Sequence, residues 1–181
     1  MRKYITRFEG KFGFLSNFYP CKKGVSLGDN LGKYPSVEHA YQAAKTVDED
    51  ERVAIRDAGT PGKAKRMGQK VQLVDNWEEI KDSVMLRLLR EKFNGVDDIV
   101  HYAFLKTKDV YLIEGNTWHD CYWGICYCDN CMGIGNNRLG ELLMMVRAEQ
   151  QIYYPKPELA IVKSFTNDEM VYETEDIVGD F

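Results

Sequence analysis

Two acidic residues of this chain lie where a carboxylate could take part in chemistry. Glu38 falls in "YPSVEHAYQAAK", and Asp120 falls in "EGNTWHDCYWG". Large aromatic and neutral polar side chains surround both, in arrangements that a hydrophobic core does not require; "DNW", which contains Trp77, is a third such segment. A carboxylate can stabilise positive charge or accept a proton from water, and aromatic rings can stack on a planar group. These segments are therefore the first candidates for a site.

The segment around Glu38 predicts a helix that begins just before this residue. Ser36 is a favourable N-cap, and the apolar residues that follow recur with helical spacing. Glu38 then lies in the first turn, where the helix dipole favours the ionised carboxylate. Two interpretations stay open, because a dipole-stabilised surface residue and a catalytic carboxylate have the same local sequence. His39 is likewise open between a packing role and a role in the site.

The segment around Asp120 follows the best strand candidate of the chain, residues 110–115. Polar and aromatic side chains at the end of a strand are typical of a pocket that stacks a planar ring beside a carboxylate. These side chains are Asn116, Trp118, His119, Asp120, Tyr122 and Trp123. The alternative is a loop with core tryptophans and a hydrated aspartate. Further on, "GIGNNRLG" could bind phosphate on its backbone N–H groups, although it lacks the spacing of the standard nucleotide motifs.

Four of the five cysteines lie close together in "CYWGICYCDNC". Cys121, Cys126, Cys128 and Cys131 supply enough thiols for a tetrahedral zinc site. The single residue between Cys126 and Cys128 is awkward for two ligands of one metal, so reduced thiols that pack a loop are the preferred interpretation. No metal ion is therefore assigned, and structural zinc remains the alternative.

The remaining patterns predict several helices and few strands. Helices are expected over residues 49–58, after a Thr60 cap, over 97–106 and over 138–150, and a short strand over 4–8. The longest helix is expected to follow an Asp75 cap, with Glu78 completing a capping box. Its expected buried stripe comprises Trp77, Ile80, Val84 and Leu88. Residues 10–32 read as loops or short hairpins, and residues 158–165 as an edge strand.

The bulk composition excludes some classes of protein. The 181 residues are 44% hydrophobic and 29% charged, as in ordinary globular domains, and no apolar run is long enough to span a bilayer. The net charge of -4 argues against broad binding to a phosphate backbone. The N-terminus has no signal-peptide pattern, and the cysteine count is odd, so we expect a cytoplasmic protein without a disulfide framework.

In their order along the chain, these segments resemble the NADAR family, whose members include the YbiA-type N-glycosidases. The resemblance runs from about residue 8 to residue 150. It rests on "FLSNFYP", "YPSVEHAYQAAK", "KRMGQKV", "NWEEIKDSVM", "LREKF", "LIEGNTWHDCYWG" and "GNNRLGELLMMVR". It implies a single compact YbiA-like domain over residues 1–152, mainly α with a small β component (α+β). An acidic extension over residues 153–181 lies outside it.

The resemblance also implies cleavage of an N-glycosidic bond to ribose, without a cofactor. The associated substrates are ribosylaminopyrimidine 5′-phosphates of the riboflavin pathway, or ADP-ribose on guanine of nucleic acid. The family's essential glutamate, tryptophan and aspartate fall on Glu38, Trp77 and Asp120. Glu38 is expected to activate water or stabilise the ribosyl cation, and Asp120 to orient substrate or assist proton transfer.

Further side chains are expected to contact the substrate, with the basic ones directed to phosphate. They are Asn17, Phe18, His39, Gln42, Lys45, Arg66, Asn116, Trp118, Trp123, Asn137 and Arg138. Two rival interpretations belong to other classes of protein: a non-catalytic module that binds NAD or ADP-ribose, and a zinc-stabilised interaction module. No membrane partner is expected, and the oligomeric state is left open.

Overall fold

Short polar side chains begin the first three helices. In each, the side-chain oxygen of the residue before the helix accepts a hydrogen bond from a backbone N–H three residues further on. The helices and caps are α1 (Val37–Ala43) with Ser36, α2 (Glu49–Arg56) with Asp48, and α3 (Pro61–Gly68) with Thr60. The predicted caps at Ser36 and Thr60 are therefore confirmed.

The fourth helix, α4 (Trp77–Lys92), begins later than its sequence predicts. Its N-cap is Asn76, which makes no side-chain capping bond, so the predicted Asp75 cap and capping box are wrong. The chain enters α4 through a turn in which the Trp77 N–H donates to the Val74 carbonyl (3.0 Å), and Glu78 pairs with Lys81 instead. The predicted stripe is also only partly right, since Ile80 and Val84 are half-buried. The buried residues are Trp77, Met85, Leu88, Leu89 and Lys92.

The computed structural model describes residues 3–94 and 97–153, which are mainly helical with three two-stranded sheets. The other helices are a 3₁₀ helix (Gly10–Leu15), α5 (Asp98–Lys106) and α6 (Arg138–Tyr153). The strands are β1 (Tyr4–Ile5), β2 (Val25–Ser26), β3 (Lys33–Tyr34), β4 (Tyr111–Leu112), β5 (Gly115–Asn116) and β6 (Ile125–Cys126). The predicted fold class is confirmed, while the single strand expected over 110–115 is two short ones.

Contacts between residues group the chain into two units, and one of them comprises residues 13–101. Within it, α1 packs against α2, α3 and α4, and β2 pairs antiparallel with β3. Every residue of α1 is buried, including the polar residues Glu38, His39 and Gln42. A buried helix normally excludes unpaired charge, so the polar residues of α1 need partners.

The other unit comprises, among the described residues, 3–12 together with 102–153. Here β1 pairs parallel with β4, β5 pairs parallel with β6, and α6 packs against β4. The helix predicted over 138–150 is confirmed, and its residues Leu139, Leu142, Leu143 and Val146 are all buried. No helix within the described residues has the length and apolar character to cross a membrane. The predicted edge strand, and the acidic extension beyond Tyr153, lie outside the described residues.

Gly68 permits the close approach of α3 to α1. A Cβ added there would lie 2.2 Å from Gln42 Oε1 and 2.6 Å from Gln42 Cβ. The Gln42 Cβ cannot swing away like the end of a flexible side chain. We therefore expect Gly68→Ala to lower the free energy of unfolding by about 1–3 kcal/mol, the usual penalty for overpacking. Chemical denaturation monitored by circular dichroism would measure it.

Gly62→Ala is the matched control on the same helix. The nearest atom to a Cβ at Gly62 is Arg66 NH1 at 3.7 Å, an ordinary contact. Alanine also favours the helix over glycine, so this variant should be as stable as the wild type, or more stable by up to about 1 kcal/mol. Equal stability changes in both variants would contradict the importance of the α1–α3 contact.

Candidate functional site

Glu38 is a buried carboxylate held by a neighbour on its own helix. Its relative exposure is 6%, and the Gln42 Nε2 amide donates to Glu38 Oε1 at 2.8 Å. The Glu38 backbone N–H donates to the Asn17 carbonyl (3.0 Å), which ties the loop before α1 to the first turn of α1. A carboxylate is buried at high cost unless hydrogen bonds compensate. The bond from Gln42 therefore orients Glu38 as well as stabilising it.

Lys45 brings a positive charge to the same unit. Its Nζ lies 5.7 Å from the Tyr41 ring centroid and 5.9 Å from that of Trp77, and the two rings pack 5.1 Å apart. Burial lowers the pKa of Lys45, and the negative charge of Glu38 partly offsets this effect.

Two buried acceptors belong to residues that hydrogen-bond Glu38, Asn17 through its backbone carbonyl and Gln42 through its side chain. Asn17 Oδ1 and Gln42 Oε1 are buried and have no hydrogen-bond partner among the described residues. The amide of Asn17 reaches the Met85 sulfur through its Nδ2 (3.5 Å), and the amide of Gln42 reaches Glu38. Buried polar atoms are normally paired, so each of these two acceptors retains the capacity for a further hydrogen bond.

His39 is occupied by the protein itself. Its Nε2 lies 2.9 Å from the Ala58 carbonyl and must donate to it, and its Nδ1 lies 2.8 Å from Ser36 Oγ, from which it then accepts. Both ring nitrogens thus have protein partners, which matches the packing role that the sequence left open. Of the other predicted contacts in this unit, Phe18 is 43% exposed and Arg66 is exposed on α3.

Asn116 organises the loop that contains Asp120. Its Oδ1 accepts the backbone N–H groups of Trp118 and Asp120 (both 3.2 Å), and its Nδ2 donates to the Asp120 carbonyl (2.8 Å). The Asp120 carboxylate accepts the Trp123 N–H through Oδ1 at 2.9 Å. Asp120 and Trp123 are half-buried, while Trp118 is 60% exposed. The loop therefore presents Asp120 with an exposed indole close to it in sequence.

Asn137 and Arg138 also have protein partners. Asn137 accepts from the Glu114 N–H (2.9 Å) and donates to the Leu112 carbonyl (2.8 Å), and Arg138 forms an ion pair with Glu141 (2.9 Å). The backbone N–H groups of residues 136–139 donate to carbonyl oxygens of residues 121–124. These N–H groups of "GIGNNRLG" thus stabilise the loop, and the phosphate-binding alternative has no support from them.

The thiol-rich loop gathers a histidine that the zinc alternative did not include. The side chains of His119, Cys126, Cys128 and Cys131 have ligand atoms within 4.8 Å of one another. Cys121 is not in this group, although its Sγ lies 3.8 Å from Cys131 Sγ. This group could hold a metal ion. All five cysteines are free thiols.

The sequence interpretation missed three residues. Tyr41 is absent from the predicted contacts, although it lies one turn before Lys45. Lys65, which neighbours the predicted Arg66, brings a positive charge that further lowers the pKa of Lys45. His119 was not considered as a metal ligand, although it precedes the cysteines closely. The helical spacing of Tyr41 and Lys45 could have revealed the contact between them. The roles of Lys65 and His119 depend on tertiary contacts that the sequence does not show.

Comparison with known proteins relates the chain to one family. The NADAR domain model matches residues 4–151. N-glycosidase YbiA of Escherichia coli is 40% identical over 145 residues, which cover 78% of this chain and 83% of that protein. A riboflavin biosynthesis protein of Vibrio vulnificus is 39% identical over 155 residues, which cover 84% of this chain and 39% of the relative. The chloroplastic riboflavin biosynthesis protein PYRR of Zea mays is 35% identical over 153 residues, which cover 76% of this chain and 23% of that protein.

The fold agrees with these relationships. The NMR structure of E. coli YbiA superposes with a TM-score of 0.66 at 34% identity, covering 86% of this chain and 90% of YbiA. The resemblance inferred from the motifs is thus confirmed, and the predicted class of activity agrees with the N-glycosidase activity for which the YbiA relatives are named. Since the family model spans 4–151 and the identities exceed 30%, the chain belongs to the NADAR domain family.

Proposed function

We propose that this chain is an N-glycosidase that hydrolyses the bond between ribose C1′ and nitrogen in ribosylaminopyrimidine 5′-phosphates. The observation that supports this most is the Glu38 carboxylate, 6% exposed and oriented by Gln42 in a unit that also contains the partly buried Lys45. The names of the YbiA and riboflavin biosynthesis relatives support the bond type and the substrate class. No cofactor is needed for this hydrolysis.

The buried setting of Glu38 suits the chemistry of the bond. As the C1′–N bond breaks, its electron pair goes to nitrogen and positive charge develops on C1′ and the ring oxygen. A preoriented carboxylate in a poorly hydrated environment stabilises that charge more strongly than one in water. Water then attacks C1′ and loses a proton to Glu38, while the departing nitrogen takes a proton from solvent and leaves as an amine; Glu38 then returns its proton to solvent.

The two buried acceptors on Asn17 and Gln42 suit the hydroxyl groups of a ribose. Asn17 Oδ1 and Gln42 Oε1 lack partners within residues 3–94 and 97–153. Ribose hydroxyls are donors that can satisfy such acceptors, and hydrogen bonds to a sugar hydroxyl can strengthen in the transition state of glycoside cleavage. In this proposal the sugar is bound with its hydroxyls toward Asn17 and Gln42 and its C1′ toward Glu38.

Lys45 is the proposed contact for the 5′-phosphate. Its ammonium lies near Tyr41 and Trp77, whose rings restrict where it can move. Trp77 is 5% exposed and packs on Tyr41, so its proposed role is to hold Lys45 in place. A partly buried cation of this kind can bind a phosphate group. The net charge of -4 favours a small metabolite over ADP-ribosylated nucleic acid.

The proposed role of Asp120 and Trp118 in binding the base comes from the sequence segment in which both lie. Asp120 keeps a fixed backbone through Asn116, and the 60% exposed indole of Trp118 offers a face for stacking. Asp120 would orient the pyrimidine or assist proton transfer to the leaving nitrogen. The proposed location of the enzyme is the cytoplasm, where its free thiols would stay reduced.

Glu38→Gln tests the carboxylate directly. A glutamine can still accept the hydrogen bond from Gln42, so the fold should be unchanged, while the negative charge and the general base are lost. We expect kcat for release of ribose 5-phosphate to fall by about 10²–10⁴-fold. Mass spectrometry would follow two substrates in parallel, the ribosylaminopyrimidine phosphate and a guanine-ADP-ribosylated oligonucleotide.

Glu49→Gln is the control, because Glu49 is an exposed carboxylate at the start of α2. It should keep wild-type turnover. Full activity in Glu38→Gln would contradict the assigned role, and cleavage of the oligonucleotide alone would replace the metabolite with ADP-ribosylated guanine as the substrate. If the wild type binds ADP-ribose yet cleaves neither substrate, the protein is a binding module instead.

The pH dependence of substrate binding tests Lys45. Burial lowers the pKa of Lys45 below its usual 10.5, so its positive charge disappears at a lower pH than for an exposed lysine. We expect KM for the phosphorylated substrate to rise on the alkaline side with an apparent pKa below 10.5. Lys45→Arg should remove this rise, since a guanidinium stays charged there. The corresponding unphosphorylated ribosyl compound should show no such dependence; identical profiles for both compounds would contradict the phosphate contact.

A further inference from the structure

The loop that follows Asn116 contains one imidazole and three thiols that converge on a common point. His119 Nδ1 lies 3.3 Å from Cys128 Sγ and 3.3 Å from Cys131 Sγ. The Cys126 sulfur completes the group, in which all four ligand atoms lie within 4.8 Å of one another. Cys126 is fully buried, Cys128 and Cys131 are half-buried, and His119 is exposed at the edge. None of these four residues belongs to the proposed catalytic chemistry.

The spacing of these atoms matches tetrahedral coordination. Zinc–sulfur and zinc–nitrogen bonds of about 2.3 and 2.0 Å place neighbouring ligand atoms roughly 3.5–3.8 Å apart around one ion. The observed separations of 3.3 Å, within a group no wider than 4.8 Å, bracket these values. Three cysteines and one histidine form a usual ligand set of structural zinc. Small shifts of side chains would therefore suffice to bind the ion.

The backbone of the loop is shaped in a way that brings the ligands together. The N–H groups of Cys131 and Met132 donate to the Cys128 carbonyl (3.1 and 2.9 Å), so the two cysteines lie on one tight turn. The Gly133 N–H donates to the Cys126 carbonyl (2.8 Å), which places Cys126 beside that turn. His119 adopts a left-handed φ of 66°, unfavourable for a residue with a side chain. Such strain persists where the surroundings impose it, and metal ligation would do so.

We propose that His119, Cys126, Cys128 and Cys131 bind one structural zinc ion. All four coordination positions are filled by the protein, so the ion has no open position for substrate or water. Binding releases three thiol protons to solvent and leaves three thiolates and a neutral imidazole on Zn²⁺, with a net charge of minus one. Cys121 stays outside the ligand set.

The ion would hold the segment that contains Asp120. His119 precedes Asp120, whose backbone N–H and carbonyl are both bonded to the Asn116 amide. A metal bond at His119 would link this segment to the turn at Cys128 and Cys131, and so restrain Asp120 from its other side. The role of the ion is thus positional.

The number of zinc ions bound per chain can be measured without any substrate. The result is therefore independent of the proposed glycosidase activity. The full chain, without an affinity tag, is purified without chelators and dialysed against metal-free buffer before elemental analysis. We expect about one zinc ion per chain. Replacement by Co²⁺ should give the intense ligand-field bands of tetrahedral coordination, together with thiolate-to-cobalt charge-transfer bands.

Variants then identify the ligands. Cys128→Ser and Cys131→Ser should lose the metal, while Cys121→Ser and Cys21→Ser should retain it, because Cys121 and Cys21 lie outside the set. His119→Cys should keep the metal and raise the charge-transfer intensity by adding a thiolate. Because His119→Cys keeps four ligands, it can be measured even if the variants with only three ligands fail to fold.

Several results would overturn the assignment. Wild-type protein without stoichiometric zinc, even after reconstitution under reducing conditions, would exclude the site. A disulfide between Cys121 and Cys131, detected by mass spectrometry of the purified protein, would remove a required ligand. If Cys121→Ser lost the metal and His119→Cys left the cobalt spectrum unchanged, Cys121 and not His119 would be the fourth ligand.

Discussion

The hydrogen bond between Gln42 and Glu38 is the interaction on which the proposed site depends. Ser36 sets the first turn of α1 so that Glu38 enters the interior, where a carboxylate needs a donor. Gln42 lies one turn later on the same helix and supplies it. Gly68 of α3 lets Gln42 fit, because any larger residue would overlap its side chain. One cap, one glutamine and one glycine thus decide where the carboxylate of Glu38 lies.

A similar principle operates in the unit that contains Asp120, where polar side chains order a loop rather than a helix. Asn116 uses both ends of its amide on the backbone of that loop, and Asn137 does the same at the start of α6. Asn116 and Asn137, which the sequence suggested as substrate contacts, therefore stabilise the backbone of this unit. The Asp120 carboxylate also accepts from the Trp123 N–H, while the Trp118 side chain is 60% exposed. A zinc ion at His119 would add a second restraint to the same loop.

Features that depend on local sequence could be predicted, and those that depend on distant contacts could not. The caps at Ser36 and Thr60 were predictable because a capping bond joins residues three apart. The start of α4 was not, because the turn between Val74 and Trp77 overrides the capping propensity of Asp75. The sequence around Glu38 also predicted correctly that this carboxylate lies in the first turn of a helix. Its burial, the two unpaired acceptors at Asn17 and Gln42, and the inclusion of His119 with the cysteines arise from tertiary packing.

The most direct test of the central claim is a crystal structure of Glu38→Gln protein with the uncleaved ribosylaminopyrimidine phosphate. Loss of the carboxylate should preserve the substrate long enough to observe it. We expect ribose C1′ within about 3.5 Å of the residue 38 side chain, the distance of a reactive geometry. The ribose hydroxyls should face Asn17 and Gln42, and the phosphate should contact Lys45. A substrate bound with C1′ out of contact with residue 38 would contradict the assignment of Glu38 as the catalytic carboxylate.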